Sequence, residues 1–291
     1  MTTVIKSMLA RVPLRVQRLL PIELRAEARD RMGLWAPGDI GFVVEPPRPN
    51  PGERPGPPDF LVLGGADVGG RWWMSQLADH PGVAPNRTLD EASHVFAAAA
   101  TERFGPEQIT AFHALFPRRP GRIIGHWSPD GLSYPWVLPL LAQAAPRAQV
   151  LVLVRDPIEA LRAEISATAD ERAPHVGSNL ADAVDRGFHG SQVARLLEHF
   201  PSDQVRIVQY EQCVADTAGS LVDSFGFLGL DASYRPRVTN APTVLAGGDG
   251  DPLTPTTMAR LQSMYRADVA ALTGMIPDLD LGLWPNFNVR S

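Results

Sequence analysis

The sequence predicts an α/β fold: a central parallel β-sheet flanked by helices, with a P-loop-like turn after the first strand. Apolar segments of strand length alternate with segments of helical periodicity, which is typical of a parallel sheet covered on both faces. The run VLVLV at 150–154 is the continuous apolar strand expected in the middle of such a sheet. The segment 60–81, FLVLGGADVGGRWWMSQLADHP, gives a strand, a glycine-rich turn and a helix, the layout with which α/β proteins hold a phosphate.

The remaining elements follow in order along the chain. Strands are predicted at 60–64, 121–129, 148–157 and 203–212, with a short strand or helix edge at 93–99. Helices are predicted at 71–77, 106–117, 134–146, 158–172, 190–201, 217–230 and 254–275, the last with Thr254 or Thr256 as its cap. Ligands of such sheets bind beyond the carboxyl ends of the strands. We therefore expect the site where strands 60–64, 122–125 and 150–154 end.

We expect three parts along the chain. Residues 1–44 form an N-terminal helical appendage, 45–59 a semi-rigid linker with seven prolines, and 60–291 the main domain. The first 20 residues interleave apolar positions with Lys6 and three arginines. Such a basic amphipathic segment either packs on the body of the protein or makes peripheral contact with an anionic membrane.

Composition excludes several classes of function. The net charge of -5 does not favour nucleic acid as a partner. Lys6 is the only lysine, so no mechanism in the main domain can use one. Cys213 is the only cysteine, which rules out an intrachain disulfide and a cysteine metal cluster. We interpret Cys213 as a packing residue, and we expect a cytoplasmic protein without a signal peptide or membrane span.

The glycine-rich turn has the chemistry of an anion site. Backbone amides at a helix N-terminus carry partial positive charge, and glycines let a phosphate approach them. The turn supplies four of them: Gly64, Gly65, Gly69 and Gly70. The nucleotide-triphosphatase pattern GxxxxGK[ST] fits poorly, because Arg71 replaces its lysine and Trp72 the hydroxyl residue that binds magnesium. We expect no metal here, and a glycine turn without any ligand remains the alternative.

A second candidate anion ligand follows the central strand. Arg155 comes directly after residues 150–154, so it should point into the crevice, where its planar fork suits a phosphate. The alternative is an arginine tied to a helix carboxylate. Asp156 precedes Pro157, and we interpret it as the cap of the next helix.

Several segments, in order, resemble sulfotransferases that use 3′-phosphoadenosine-5′-phosphosulfate (PAPS), especially the carbohydrate-type and bacterial branch. They are ADHPGV after the first helix, GHWSPDGLSYP after a strand, VLVLVRDPIEALRAEI, RGFHGSQVARLLEHFPSDQVRIVQYEQ, FGFLGL and DLGLWPNF. The resemblance extends from about residue 60 to 287. It implies the sulfotransferase fold and metal-free, in-line transfer of a sulfuryl group to an acceptor hydroxyl or amine.

The resemblance also implies roles for individual residues. Arg155 matches the arginine that holds the 3′-phosphate of PAPS. The serine expected eight residues later is Ala163, and Ser166 lies about one helical turn beyond it. His126 stands where the carbohydrate branch has its catalytic glutamate, so it is the candidate general base, with a structural histidine as the alternative.

The phosphosulfate loop departs most from the family. Its lysine is replaced by Asp67, and its two threonines by Gly70 and Arg71. We expect Arg71 to act as the replacement cation, by pairing with Asp67 or by contacting the phosphosulfate. Alternatively, Asp67 turns outward and binds a cationic acceptor. Trp72 either stacks on adenine or on the acceptor, or packs in the core.

The sequence thus predicts a PAPS-dependent sulfotransferase that releases adenosine 3′,5′-bisphosphate (PAP). Its acceptor would be a small molecule or glycan: a carbohydrate, glycolipid or secondary metabolite. Two alternatives stay open because of Asp67: a protein of this fold that binds nucleotide or acceptor without sulfation, and a transferase that uses another activated donor. Oligomeric state is not predicted.

Overall fold

The structure is a computed structural model that describes residues 45–65, 67–88, 96, 104–169, 180–238 and 253–288. The predicted N-terminal appendage and its membrane contact lie outside these residues. So does the predicted element at 93–99, apart from Phe96, which is buried.

Within the described residues, five strands form a parallel sheet in the order β3-β5-β2-β6-β7. The short pair β1 and β4 is antiparallel. The strands are β1 Arg54–Pro55, β2 Phe60–Leu63, β3 Val83–Ala84, β4 Pro117–Arg118, β5 Ile123–Ser128, β6 Gln149–Val154 and β7 Val205–Gln209. The three strands predicted to end at the site, β2, β5 and β6, are adjacent, so their carboxyl ends lie side by side.

Helices connect the strands. They are α1 Gly70–Leu77, α2 Pro106–Ala114, α3 Val137–Ala144, α4 Pro157–Ala169, α5 Leu180–Asp185, α6 His189–Leu197, α7 Tyr210–Ala215, α8 Thr217–Phe227 and α9 Pro255–Met275. The predicted cap of α9 is confirmed, since the Thr254 side chain accepts a hydrogen bond from the amide of Thr257. None of the helices in the described ranges is long and apolar enough to cross a bilayer.

Alternate residues of the central strands face two apolar clusters, one on each side of the sheet. Leu61 and Leu63 of β2 belong to the cluster that includes residues of α2, α3, α6 and α9. Phe60 and Val62 belong to the cluster that includes residues of α1, α7 and α8. This period of two, with both faces buried, explains why β2 and β6 have continuous apolar sequences. The predicted α/β class is confirmed.

Local predictions differ from the structure in four places. The predicted strand at 203–212 ends at Gln209, because α7 begins at Tyr210. The strand β3 and the helix α5 were not predicted, and both are short. The proline-rich stretch is held against the domain: β1 pairs with β4, and Asp59 accepts hydrogen bonds from Arg118 and from the amide of Ile124.

Cys213 is buried in α7, and burial raises the pKa of its thiol to about 12. A thiol with this pKa is protonated at neutral pH and is a poor nucleophile. The interpretation of Cys213 as a packing residue is confirmed.

Candidate functional site

The first component of the site is the turn between β2 and α1, called here the glycine loop (residues 64–70, of which Ala66 lies outside the described residues). Gly64 has φ +127° and Gly69, the N-cap of α1, has φ +86°. L-residues with side chains rarely adopt these conformations, so the glycines permit the sharp reversal into the helix. The loop therefore places the N-terminus of α1 at the carboxyl end of β2.

The glycines also let the loop pack closely. A Cβ atom on Gly70 would lie 2.2 Å from the carbonyl oxygen of Gly64. That oxygen accepts a 2.9 Å hydrogen bond from the indole Nε1 of Trp127 on β5. A Cβ atom on Gly69 would lie 2.7 Å from the ring of Tyr210. Close packing of protein on protein thus accounts for Gly69 and Gly70 without a ligand.

Arg155, directly after β6, contacts the glycine loop. Its NH1 donates a 2.7 Å hydrogen bond to the main-chain oxygen of Asp67, and its guanidinium carbon lies 4.5 Å from the ring centroid of Tyr210. Arg155 is 8% exposed. A guanidinium group has five N–H donors, so the contact with Asp67 leaves capacity for an anion. The loop and the arginine, predicted separately, are in contact.

Asp67 is the anionic residue of the loop, and it is partly buried. Burial, aided by the negative charge of Glu164, raises the pKa of its carboxyl to about 6. The cations Arg186 and Arg155 act in the opposite direction. With a pKa of about 6, the carboxyl of Asp67 is mostly ionised at pH 7. The negative charge then lies near one anion, Glu164, and two cations, Arg186 and Arg155.

Beside the loop is a narrow cleft of about 10 Å³, room for roughly one water molecule. Its lining includes Gly64, Gly65, Asp67, Arg186, His189 and Gln192. A wider hollow of about 550 Å³ lies beside β7, but the described residues that line it include neither the loop nor Arg155. We place the candidate site at the smaller cleft, because residues of the glycine loop line it and Arg155, although not a lining residue, is hydrogen-bonded to Asp67 of that loop.

Two residues of this cleft, Arg186 and His189, were missed by sequence reasoning. Arg186 forms a paired contact with the carboxylate of Glu164 on α4. The ring Nε2 of His189 lies 3.0 Å from the main-chain oxygen of Arg155. The segment RGFH at 186–189, directly before a predicted helix, is a usable signal, but in the sequence it contributes only to the family resemblance.

His126, the predicted general base, is not brought to the cleft. It lies on β5, fully buried, with the rings of Phe112 and Phe116 centred 5.4 and 5.5 Å away. Within the described residues neither of its ring nitrogens has a hydrogen-bond partner. Burial lowers the pKa of His126 to about 3, so the ring is neutral at physiological pH.

The other predicted ligands are dispersed. Arg71 is exposed on α1, while the largest opposite-charge effects on Asp67 come from Arg186 and Arg155. Trp72 is 6% exposed and packs against Trp73 and Tyr210, with ring centroids 5.4 and 6.0 Å away. Ser166 is partly buried on α4 and does not line the cleft.

A buried polar network fixes the end of β6. Asp156 accepts a 2.9 Å hydrogen bond from the amide of Ile158, which confirms it as the cap of α4, and 3.0 and 3.1 Å bonds from Asn286. The amide of Asp156 donates to one oxygen of Glu211, and the indole of Trp284 donates to the other. These bonds tie the carboxyl ends of β6 and β7 to the end of the described chain, so the backbone of Arg155 is held on both sides.

Comparison with known proteins points to one family. Residues 132–234 match the model of the family described as the Sulfotransferase family. This span contains Arg155, His189 and Tyr210, and it begins after the glycine loop and His126. No curated protein matches the sequence.

Solved structures of sulfotransferases are similar to this chain. A sulfotransferase from Alicyclobacillus acidocaldarius has a TM-score of 0.62 and 23% identity, over 78% of this chain and 98% of that chain. The sulfotransferase domain of the Synechococcus PCC 7002 olefin synthase has a TM-score of 0.49 and 18% identity, over 80% of this chain and 100% of that chain. A mouse sulfotransferase complexed with PAP has a TM-score of 0.43 and 16% identity, over 77% and 86%. The chain thus shares its fold with the Alicyclobacillus sulfotransferase, and residues 132–234, about a third of the chain, match the sulfotransferase family model.

Proposed function

We propose that the protein transfers a sulfuryl group from PAPS to a hydroxyl or amine of a small-molecule or glycan acceptor. The observation that carries this proposal is the contact between Arg155 and the glycine loop at the carboxyl ends of adjacent parallel strands. A helix N-terminus and a guanidinium group are both anion ligands, and the donor has two anionic ends. Their proximity suits a ligand that carries a phosphate at each end.

The residues of the site have separable roles in this proposal. Amides of the glycine loop at the N-terminus of α1 stabilise charge that develops on the phosphosulfate bridge as the sulfur–oxygen bond breaks. Arg155 holds the 3′-phosphate with the N–H groups that Asp67 does not use. The ring of Tyr210 lies against the guanidinium and stabilises its position. The proposed reaction uses no metal.

The present shape of the cleft sets a condition on donor binding. A volume of about 10 Å³ is far below the several hundred Å³ that nucleotide-sized ligands occupy. Side chains that line the cleft, such as Arg186 and Gln192, must therefore move aside before PAPS enters. We expect donor binding to change side-chain positions at the cleft rather than to fill a preformed cavity.

Asp67 favours a second candidate function, a protein of this fold that binds nucleotide without transferring sulfate or that uses another activated donor. A carboxylate about 4 Å from a phosphosulfate costs on the order of 4 kcal/mol at an effective dielectric of about 20. The raised pKa of Asp67 reduces this cost only near and below pH 6. A loop that binds a less anionic donor would avoid this repulsion.

Calorimetry with PAP tests the first step of the proposal. We expect the full chain to bind PAP and Arg155→Ala to lose most of the affinity. The matched control is Arg206→Ala, because Arg206 lies on the neighbouring strand β7 and its ion pair with Asp223 is a surface contact at 3.9 Å. If Arg206→Ala weakened PAP as much as Arg155→Ala, the loss would reflect overall charge and would contradict the assigned site.

A transfer assay with radiolabelled PAPS then separates the two candidate functions. Labelled product on any member of a panel of hydroxyl and amine acceptors supports sulfotransfer. PAP binding without transfer to the panel favours the nucleotide-binding alternative. Contact of residues 1–20 with anionic vesicles would favour a lipid-linked acceptor, so the panel should include glycolipids.

A further inference from the structure

We propose that Nδ1 of His189 is the base that receives the proton of the acceptor during sulfuryl transfer. This inference rests on the proposed function, because it assigns a step of that reaction. It moves the role of general base from His126 on β5 to the first residue of α6.

The hydrogen bond on one side of the His189 ring determines its tautomer. Nε2 lies 3.0 Å from the main-chain oxygen of Arg155. A carbonyl oxygen only accepts hydrogen bonds, so Nε2 carries the proton and Nδ1 presents a lone pair. Among the described residues no group makes a well-formed hydrogen bond with Nδ1; the side chain of Gln192 interacts with the ring and raises its pKa, so it must turn away when Nδ1 receives a proton. A buried nitrogen with an unused lone pair is the form that a general base requires.

The position of His189 distinguishes it from His126. His189 is 4% exposed, and it lines the same cleft as Gly64, Gly65 and Asp67. Its Nε2 also lies 3.0 Å from the main-chain oxygen of Arg155, the residue whose guanidinium the proposed function assigns to the donor. His126, by contrast, does not line the cleft. His189 is thus the histidine near the place where donor and acceptor would meet.

The surroundings of His189 keep it neutral and fixed in place. Burial lowers the pKa of His189, and the nearby carboxylate of Asp268 on α9 partly opposes that effect. The same carboxylate accepts 2.7 and 2.8 Å hydrogen bonds from the amides of Gly190 and Ser191, so it anchors the first turn of α6. The ring centroid of Trp284 lies 6.5 Å from that of His189. The helix that carries the histidine is therefore held to α9 directly beside the ring.

The other charged groups that face this histidine come from three further elements. Asp67 lies on the glycine loop, Arg186 lies between α5 and α6, and the guanidinium of Arg155 follows β6; the first two line the cleft with His189. Burial is the largest influence on the pKa of His189, ahead of the carboxylate of Asp268. The ring is therefore neutral, with Nδ1 able to accept a proton, across the physiological pH range.

Atoms and electrons balance in the assigned step. The oxygen of the acceptor hydroxyl forms a bond to the sulfur of PAPS while the bond from that sulfur to the bridging phosphate oxygen breaks. The electron pair of the broken bond leaves with PAP, and the acceptor proton passes to Nδ1 of His189. No oxidant, reductant or further reactant is needed.

The variant His189→Gln tests the assignment. The amide nitrogen of glutamine can still donate to the main-chain oxygen of Arg155, but glutamine has no basic nitrogen. We expect kcat to fall about 100- to 10,000-fold, the usual contribution of a general base, while the Kd for PAP changes less than about threefold. The matched control is His113→Gln, because Nε2 of His113 makes the same kind of bond, 2.7 Å from the main-chain oxygen of Ala144, and His113 does not line the cleft.

Two further measurements separate a base from a structural residue. In the unmodified chain, kcat/KM should fall at low pH because protonation of His189 removes the base. The residual activity of His189→Gln should not show this fall. The nitrogen-15 spectrum of labelled protein should show His189 neutral with its proton on Nε2, a readout that does not depend on activity. An unchanged kcat in His189→Gln, an equal loss in PAP affinity, or a proton on Nδ1 would each overturn the proposal. Failure of the unmodified chain to transfer sulfate would instead refute the proposed function, and the step assigned to His189 with it.

Discussion

The guanidinium of Arg155 donates a 2.7 Å hydrogen bond to the main-chain oxygen of Asp67, a residue 88 positions earlier in the chain. This bond joins the end of β6 to the loop that follows β2, so the two candidate anion ligands form one unit. The main-chain oxygen of Arg155 faces His189 at the same time. A change at Arg155 should therefore alter the loop as well as the affinity for an anion.

The variant Arg155→Lys keeps the charge and removes the planar fork. We expect the affinity for PAP to fall about 10- to 100-fold, equivalent to the roughly 1.5–3 kcal/mol of a hydrogen bond to a charged group. Amides of the glycine loop should also exchange with deuterium faster, because lysine cannot both reach Asp67 and stack on Tyr210. Calorimetry and exchange mass spectrometry measure the two effects. Unchanged exchange in the loop would show that Arg155 does not hold it.

The charge of Asp67 should cost stability above pH 6. The pKa of its carboxyl is raised from 3.8 to about 6 in the folded protein, so the native state binds the extra proton between these values. Stability is then lost as the pH rises through that window. At pH 7 we expect Asp67→Asn to be about 1–3 kcal/mol more stable than the unmodified chain, with the difference vanishing near pH 4. Urea unfolding across this range measures it, and Asp223→Asn on the surface should show no such trend.

Restoring a lysine in the loop tests what Asp67 does in the reaction. If the loop binds a phosphosulfate, Asp67→Lys exchanges a repulsive charge for an attractive one, and PAP should bind at least about tenfold more tightly at pH 7.5. Sulfate transfer should rise with it. A collapse of activity in a folded variant would show that the loop serves another donor or a cationic acceptor.

Sequence reasoning predicted the parts of the candidate site that depend on local pattern. The strand–glycine–helix signature and the arginine after VLVLV identified Arg155 and the loop, because both follow from where apolar strands end. Local pattern could not show which histidine, His126 or His189, lies at the cleft as a candidate general base. His126 and His189 each stand next to a predicted element, and only the packing of α2 and α6 shows which ring is enclosed by phenylalanines and which lines the cleft.

The cations that act on Asp67 could not be predicted from the sequence either. Arg71 is close in sequence and exposed on α1, whereas Arg186, the cation with the largest effect on the pKa of Asp67, comes from the segment before α6. Pairings between residues far apart in sequence depend on how helices pack on the sheet, and local periodicity carries no information about them.

The contact between Gly70 and Gly64 predicts a specific glycine requirement. In Gly70→Ala the new methyl group would lie 2.2 Å from a main-chain oxygen and 2.8 Å from the indole nitrogen that binds that oxygen. We expect a loss of about 1–3 kcal/mol in the free energy of unfolding, together with weaker PAP binding. The control is Gly226→Ala in α8, where no atom of the described residues lies within 4 Å of the new methyl group. That variant should be stabilised by up to about 1 kcal/mol, and equal effects from both changes would contradict the packing described for the loop.

His126→Leu should stabilise the protein and leave sulfate transfer intact. Two buried ring nitrogens that find no partner among the described residues cost about 1–3 kcal/mol, which an apolar side chain removes. The pKa of His126 is lowered from 6.5 to about 3 in the folded protein, so the unfolded chain binds the extra proton and stability falls as the pH drops below 6.5. The advantage of the variant should therefore grow by roughly 2 kcal/mol between pH 6.5 and pH 5 in urea unfolding. Loss of transfer in a folded, PAP-binding His126→Leu protein would return the role of base to His126 and remove it from His189.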